Sequence, residues 1–201
     1  MFAYNRPEVE GSARPGAAQI GSVVVSELRS VLKAANLSPP YILIGHSFGG
    51  LFANYFARVH PEEVLGVGLI EASHIDERDA HEENSGLVLR MINGVLSGWD
   101  ALRGHKHTLS EIDHIEQTAN EMAAAPQFPE IPLTVVSAGR KPPFMPRRMF
   151  ESHAGYQRKL AGLTATAVHI IAKRSGHFPQ INEPDLVSNA IRDLVKRARE
   201  C

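Results

Sequence analysis

Gly45-His46-Ser47-Phe48-Gly49 sets a serine between two glycines in a G-x-S-x-G arrangement. The bare string says little, and its surroundings say more. A continuous apolar run, Tyr41 to Gly45, leads into it, and apolar residues at helical spacing lead away from Gly49 to His60. A serine on a tight turn between a buried strand and a helix has its hydroxyl lifted clear of the sheet and its backbone strained. The helix start also offers free N–H groups and a positive dipole end to a developing oxyanion. The two flanking glycines suit a turn in which side chains would collide with the adjacent strand and helix, and Gly50 extends the permissive stretch. The chemistry expected of Ser47 is nucleophilic attack on a carbonyl carbon; the competing reading is an incidental tight turn.

A serine hydroxyl is inert near neutral pH unless a base takes its proton. Of the ten histidines, His177 stands in Ser175-Gly176-His177-Phe178-Pro179, between the last strand-like run and the last helical one. His60 falls at a helix end, His153 on a helix and His169 inside a strand, all with plainer structural readings. With a histidine base, activity is expected to rise with pH through the ordinary imidazole range, near 6.5. The third group must be a carboxylate that orients the imidazole. Between Ala138 and Ser175 there is no Asp and only Glu151. Glu71, at the end of the run Val64 to Ile70, emerges on the sheet edge expected for Ser47 and His177, and a carboxylate there needs a partner. Asp76 and Glu151 stand as the alternatives.

These side chains matter only if strands and helices deliver them to one place. Ile20, Val24, Leu28 and Leu32 predict an amphipathic helix over Ala17 to Asn36, stopped by Pro39 and Pro40. Tyr41 to Gly45, Val64 to Ile70, Leu133 to Val136 and Ala165 to Ile171 read as strands of a buried parallel sheet. Helices are expected over Gly49 to His60, Arg147 to Leu160 and Pro184 to Arg199, the last with Leu186, Ala190, Ile191, Leu194 and Val195 on one face. Phe2 to Asn5 looks like a strand that has lost its beginning, and Arg6 to Gly16 reads as a loop.

The segment His74 to Glu130 differs, being polar and His-rich with helical patterns near 86–96 and 109–124, and Thr108 to Glu111 reads as a capping box for the second. The alternation predicts an α/β fold: one domain, 1–201, with a mostly parallel sheet flanked by helices and a helical cap, 74–130, inserted in it. Leu89, Met91, Leu96, Trp99 and Met122 either face the site, favouring an apolar acyl or alkyl group, or form the core of the cap itself.

Composition closes other routes. The 201 residues are 43% hydrophobic, enough for a core without staples, and Cys201 is the only cysteine. Lys and Arg number 21 against 22 acidic residues, so there is no basic footprint for nucleic acid. Neither a signal sequence nor an apolar run long enough for a membrane span occurs, and a soluble, cytoplasmic protein is expected. Phosphate-loop and dinucleotide fingerprints are missing, and His81-Glu82-Glu83 lacks the second histidine of a zinc protease motif. His105, His107, Glu111 and His114 read as a solvated cap face, not a metal site. The expected partner is a small ester-like molecule, with no metal or cofactor.

Together these residues resemble the α/β-hydrolase superfamily, in particular its small capped members. Phe2 to Pro7 resembles that family's fourth strand and following loop, Tyr41 to Gly50 its fifth strand and nucleophile elbow, Gly68 to His74 its sixth strand, and Ser175 to Pro184 its histidine segment. The resemblance implies Ser47 as nucleophile, the Phe48 N–H as one oxyanion donor and His177 as base. A subset of the family carries its acid after the sixth strand, where Glu71 stands. The implied activity is that of a carboxylesterase-like serine hydrolase working through an acyl-enzyme, with acyl transfer and peroxidase-type chemistry open to the same triad. The family also has three earlier strands, and the loop after the third supplies a second oxyanion donor. The expectation is therefore an N-terminally incomplete hydrolase or a shortened relative of reduced activity. The rival is a non-catalytic or crippled protein of the same fold.

Overall fold

The computed structural model describes residues 1–7, 12–76, 110–143 and 145–200. Four parallel strands, β1 (Tyr41–His46), β2 (Val64–Ile70), β3 (Leu133–Ala138) and β4 (Val168–Ala172), lie in that order across one sheet. Each crossover passes through helical structure, as parallel pairing requires. The helices are α1 (Gly21–Ala34), α2 (Phe48–Val59), α3 (Ser110–Asp113), α4 (Ile115–Ala124), α5 (Arg147–Ala161), α6 (Pro179–Asn182) and α7 (Pro184–Glu200).

Alternation along the central strands divides the core between the two faces. Val67 and Leu69 of β2 with Leu133 and Val135 of β3 pack against Val25 of α1, Leu51 and Phe56 of α2, Met122 of α4 and Leu160 of α5. On the opposite face Ile70 and Val136 meet Val187 and Ala190 of α7. The buried stripe of α7 is Val187, Ala190, Leu194 and Ala198, so the face is rotated slightly from the expected one. Gly66 and Gly68 let α7 lie close to β2, where Leu194 Cδ1 and Cδ2 come within 3.3 and 3.4 Å of the positions a Cβ would take.

Two expected elements differ. Met1 to Arg6 form no strand: among the described residues β1 is paired by β2 alone, and this segment does not join it. Phe2 still stacks on Tyr4, with ring centroids 6.4 Å apart, as extended spacing allows. Instead of pairing, the segment is tied by Arg6, whose guanidinium makes a two-pronged ion pair with the buried Glu111. The helical pattern over 109–124 is split at His114 into α3 and α4. α4 packs on α1, with Thr118 Oγ1 accepting from the Gly21 N–H at 3.1 Å and Glu121 from the Ser22 N–H at 2.9 Å. These contacts satisfy free donors at the N-terminus of α1 and place a carboxylate at its positive end. Leu89, Met91, Leu96 and Trp99 lie outside the described residues; Met122 is in the main core.

Candidate active site

In register, His46 lies opposite Ile70, Ile70 opposite Val136, and Ala138 opposite Ala172. The strands therefore end together, and the residues just beyond them share one edge. In open parallel sheets this carboxyl edge is where ligands bind.

Ser47 follows β1 with φ 53° and ψ −124°, a left-handed conformation costing about 1–3 kcal/mol for a non-glycine residue. The Ser47 N–H donates to Ile70 O at 3.2 Å, while its carbonyl accepts from Gly50 and Ser73 at 3.0 and 3.1 Å. The turn is thus bonded to the end of β2 as well as to its own helix. Phe48 opens α2, and its N–H has no partner among the described residues, leaving it available to an oxyanion.

The close approaches are made by Gly45 and Gly50. A Cβ on Gly45 would sit 2.2 Å from Gly49 O, and one on Gly50 would sit 2.3 Å from Ala72 Cβ. A Cβ on Gly49 would meet only Arg6 Nη1, at 3.6 Å. The steric requirement expected at Gly49 therefore falls on Gly50, because the second neighbour of the turn is the chain leaving β2.

Glu71 follows β2, 3% exposed and with φ 45°. Its N–H donates to Val136 O at 2.7 Å, and Oε1 accepts from the Ala138 N–H at 2.6 Å. Oε2 lies 3.1 Å from His153 Nε2 and 3.5 Å from His177 Nδ1. Burial alone would push this carboxyl up. The His153 and His177 contacts and the Ala138 N–H outweigh it and hold the group down at about 2. His177 is partly exposed, and with Nδ1 facing Glu71 its Nε2 is the nitrogen left for other chemistry.

His46 contributes what the motif left undefined. Its Nε2–H donates to the His177 carbonyl at 2.7 Å, and its ring lies 4.8 Å from the His177 ring and 5.3 Å from Phe178. Burial, and then the neighbouring His177, lower its pKa to about 4, so it is a neutral support at physiological pH. Glu183 anchors the same loop, accepting from Ser175 Oγ at 2.7 Å and the Arg174 N–H at 2.9 Å.

The alternative acids sit elsewhere. Asp76 is bonded to Lys159 at 2.7 Å, with His74 at 3.7 Å, and Glu151 forms an exposed pair with Arg147. His153, which the sequence treats as an ordinary helical residue, is in contact with Glu71. Its helical spacing with Gln157 and Leu160 marks the inward face of the helix, but not the group it meets there. His169 is bonded to Ser137 Oγ at 2.6 Å, a satisfied histidine. Among the described residues, His60, Glu62 and Glu63 could offer three ligand atoms to a cation, but they lie away from the sheet edge and Glu63 is engaged by Arg29. His105 and His107 lie outside the described residues. No helix among the described residues is long and apolar enough to cross a membrane.

Residues 2–121 match the family model for the alpha/beta hydrolase fold. The chain belongs to the alpha/beta hydrolase family. Among curated relatives of this hydrolase-fold chain, an uncharacterised protein of Schizosaccharomyces pombe is 22% identical over 97% of the chain. The chain spans 41% of that relative's length. An alpha/beta fold family hydrolase from Bacillus anthracis str. Sterne superposes with a TM-score of 0.61 at 16% identity, covering 94% of this chain and 80% of that one. The enol-lactonase from Burkholderia xenovorans LB400 gives 0.61 at 16% identity, covering 94% and 78%.

Proposed function

We propose that the protein is a serine hydrolase that cleaves an ester or related carbonyl compound through an acyl-enzyme. Ser47 is the nucleophile, His177 the base and Glu71 the acid. The observation that carries this reading is the strained Ser47 turn on the sheet edge where His177 Nδ1 lies 3.5 Å from a buried, ionised Glu71. The family membership supports it, as does the fold shared with the Burkholderia enol-lactonase.

Ser47 Oγ attacks the carbonyl carbon as its proton passes to His177 Nε2, and the new oxyanion is received by the Phe48 N–H. Glu71 stabilises the imidazolium through Nδ1. The carbon–oxygen ester bond then breaks, the leaving alkoxide takes the proton from His177, and Ser47 is left acylated. Water gives a proton to His177 as its oxygen attacks the acyl carbon, and release of the acid returns that proton to Ser47. The substrate is a small ester-like molecule carrying an apolar acyl or alkyl group.

A fluorophosphonate probe tests the reading. Ser47 Oγ would displace fluoride from phosphorus, with its proton taken by His177, giving an adduct that intact mass and peptide mapping locate. Labelling is expected to vanish in Ser47→Ala and to slow by roughly 10²-fold or more in His177→Ala. A folded protein that resists labelling would refute the mechanism and leave the non-catalytic reading.

A further inference from the structure

Glu71 serves two histidines. On α5, His153 Nε2 sits 3.1 Å from Oε2 and 3.3 Å from Oε1, while His177 Nδ1 approaches the same Oε2 at 3.5 Å. The approach of His153 is built into the packing. One turn further along α5, the buried Gln157 donates from Nε2 to Ala72 O at 2.7 Å, directly beside Glu71, and its Oε1 lies 3.5 Å from Ser137 Oγ. Ser137 is in turn held by His169, and Leu160, the next inward residue, is fully buried. α5 is thereby locked against the ends of β2 and β3, with the His153 imidazole directed at the carboxylate.

A carboxylate oxygen shared by two N–H donors gives less to each than it would give to one. Charge-assisted donation from His153 draws negative charge from Oε2 and makes Glu71 a weaker stabiliser of a cation at His177. Glu71 is faced by His153 from α5 and His177 from the segment after β4, with His46 of β1 close enough to feel its charge. His177 is faced by Glu71 and by His46.

We propose that His153 is a positioning residue of the hydrolytic site, holding the shared Glu71 oxygen in place and limiting how strongly that carboxylate stabilises protonated His177. This rests on the serine-hydrolase reading above. Its consequence is a pH profile extended to lower pH than a lone His177–Glu71 pair would give, because His177 stays available as a base further into acid.

The test is the second-order rate of fluorophosphonate labelling from pH 5 to pH 9, corrected for folded fraction by urea unfolding. In His153→Leu the acid limb is expected to move up by about 0.5 to 1 pH unit, a roughly 3- to 10-fold slower reaction well below the midpoint. His153→Gln, which keeps a neutral N–H donor near the Nε2 position, is expected to recover at least half of that displacement. Should the leucine variant fail to fold, His153→Asn, whose amide is too short to reach Glu71, is read in its place. An unmoved or lowered acid limb in the donor-free variant, with wild type labelling normally, overturns this inference alone. A glutamine variant displaced as far as leucine overturns the role given to the N–H donor. A folded wild type that takes no label overturns the serine-hydrolase reading and this inference with it.

Discussion

A methyl group added at Gly50 would place its carbon 2.3 Å from Ala72 Cβ, 3.1 Å from Ala72 Cα and 3.2 Å from Gly45 O. Carbon atoms rest at about 3.5–4.0 Å, so α2 and the chain leaving β2 would have to separate by about 1.2 Å or more. Overpacking of this kind costs about 1–3 kcal/mol, of which the better helix propensity of alanine returns up to about 1 kcal/mol. At roughly 2–4 °C per kcal/mol for a chain of this size, Gly50→Ala is expected to lower Tm by several degrees. It should also slow Ser47 labelling, because Ala72 adjoins Glu71. Gly49→Ala meets only the flexible end of Arg6 at 3.6 Å, and is expected to be neutral or stabilising by up to about 1 kcal/mol. Ala72→Gly combined with Gly50→Ala removes the worst contact and is expected to recover more than half of the loss, a coupling that a double-mutant cycle measures. Thermal and urea unfolding of Gly50→Ala, Gly49→Ala, Ala72→Gly and the double variant provide the assay. Equal damage at Gly49 and Gly50, or no coupling between Gly50 and Ala72, would refute the steric argument.

The Glu71 carboxyl is held at about 2 against an ordinary 4.5. A depressed carboxylate contributes stability that is fully present above its unfolded value and is lost as pH falls through its folded one. The advantage of wild type over Glu71→Gln is therefore expected to shrink by up to about 3 kcal/mol between pH 4.5 and pH 2, measured by urea unfolding at stepped pH; a difference independent of pH would count against it. Arg6→Ala leaves the Glu111 carboxylate, 4% exposed, without its two-pronged partner. Because Arg6 keeps 27% exposure, the expected loss is about 2–3 kcal/mol, below that of a fully buried pair. Arg6→Ala/Glu111→Gln should recover part of it in chemical unfolding, and an unaffected single variant would show that the pair is idle.

Legibility in the sequence followed the range of the forces involved. Apolar runs locate all four strands of the sheet to within three residues at either end, because β2 and β3 are buried along most of their length and the outer strands keep the same apolar composition even where Ile44 and Ile171 are exposed. Ser47, Glu71 and His177 could be singled out because each stands where a strand ends, and strand ends are visible locally. Phe2 to Asn5 misled for the same reason: its composition suits a strand, but a strand exists only with a ladder to join. The sharing of Glu71 by His153, the bond from His46 to the His177 carbonyl and the transfer of the steric constraint from Gly49 to Gly50 depend on contacts between segments far apart in the chain. Nothing in the spacing of one segment records the carbonyl or methyl group of another.

The hydrogen bond from the Ala138 N–H makes the fixed position of the Glu71 carboxylate depend on β3 being in the sheet. β1 and β2 are separated by fewer than twenty residues, while β2 and β3 are separated by about sixty. Closing the longer span costs about 1 kcal/mol more in chain entropy and is the slower search. Until β3 docks, Glu71 has neither the Val136 carbonyl for its N–H nor the Ala138 N–H for its carboxylate. A chain with only β1, α2 and β2 paired would present Ser47 on its turn but neither a fixed acid nor the base that follows β4, so competence to react needs both β3 and β4 in the sheet.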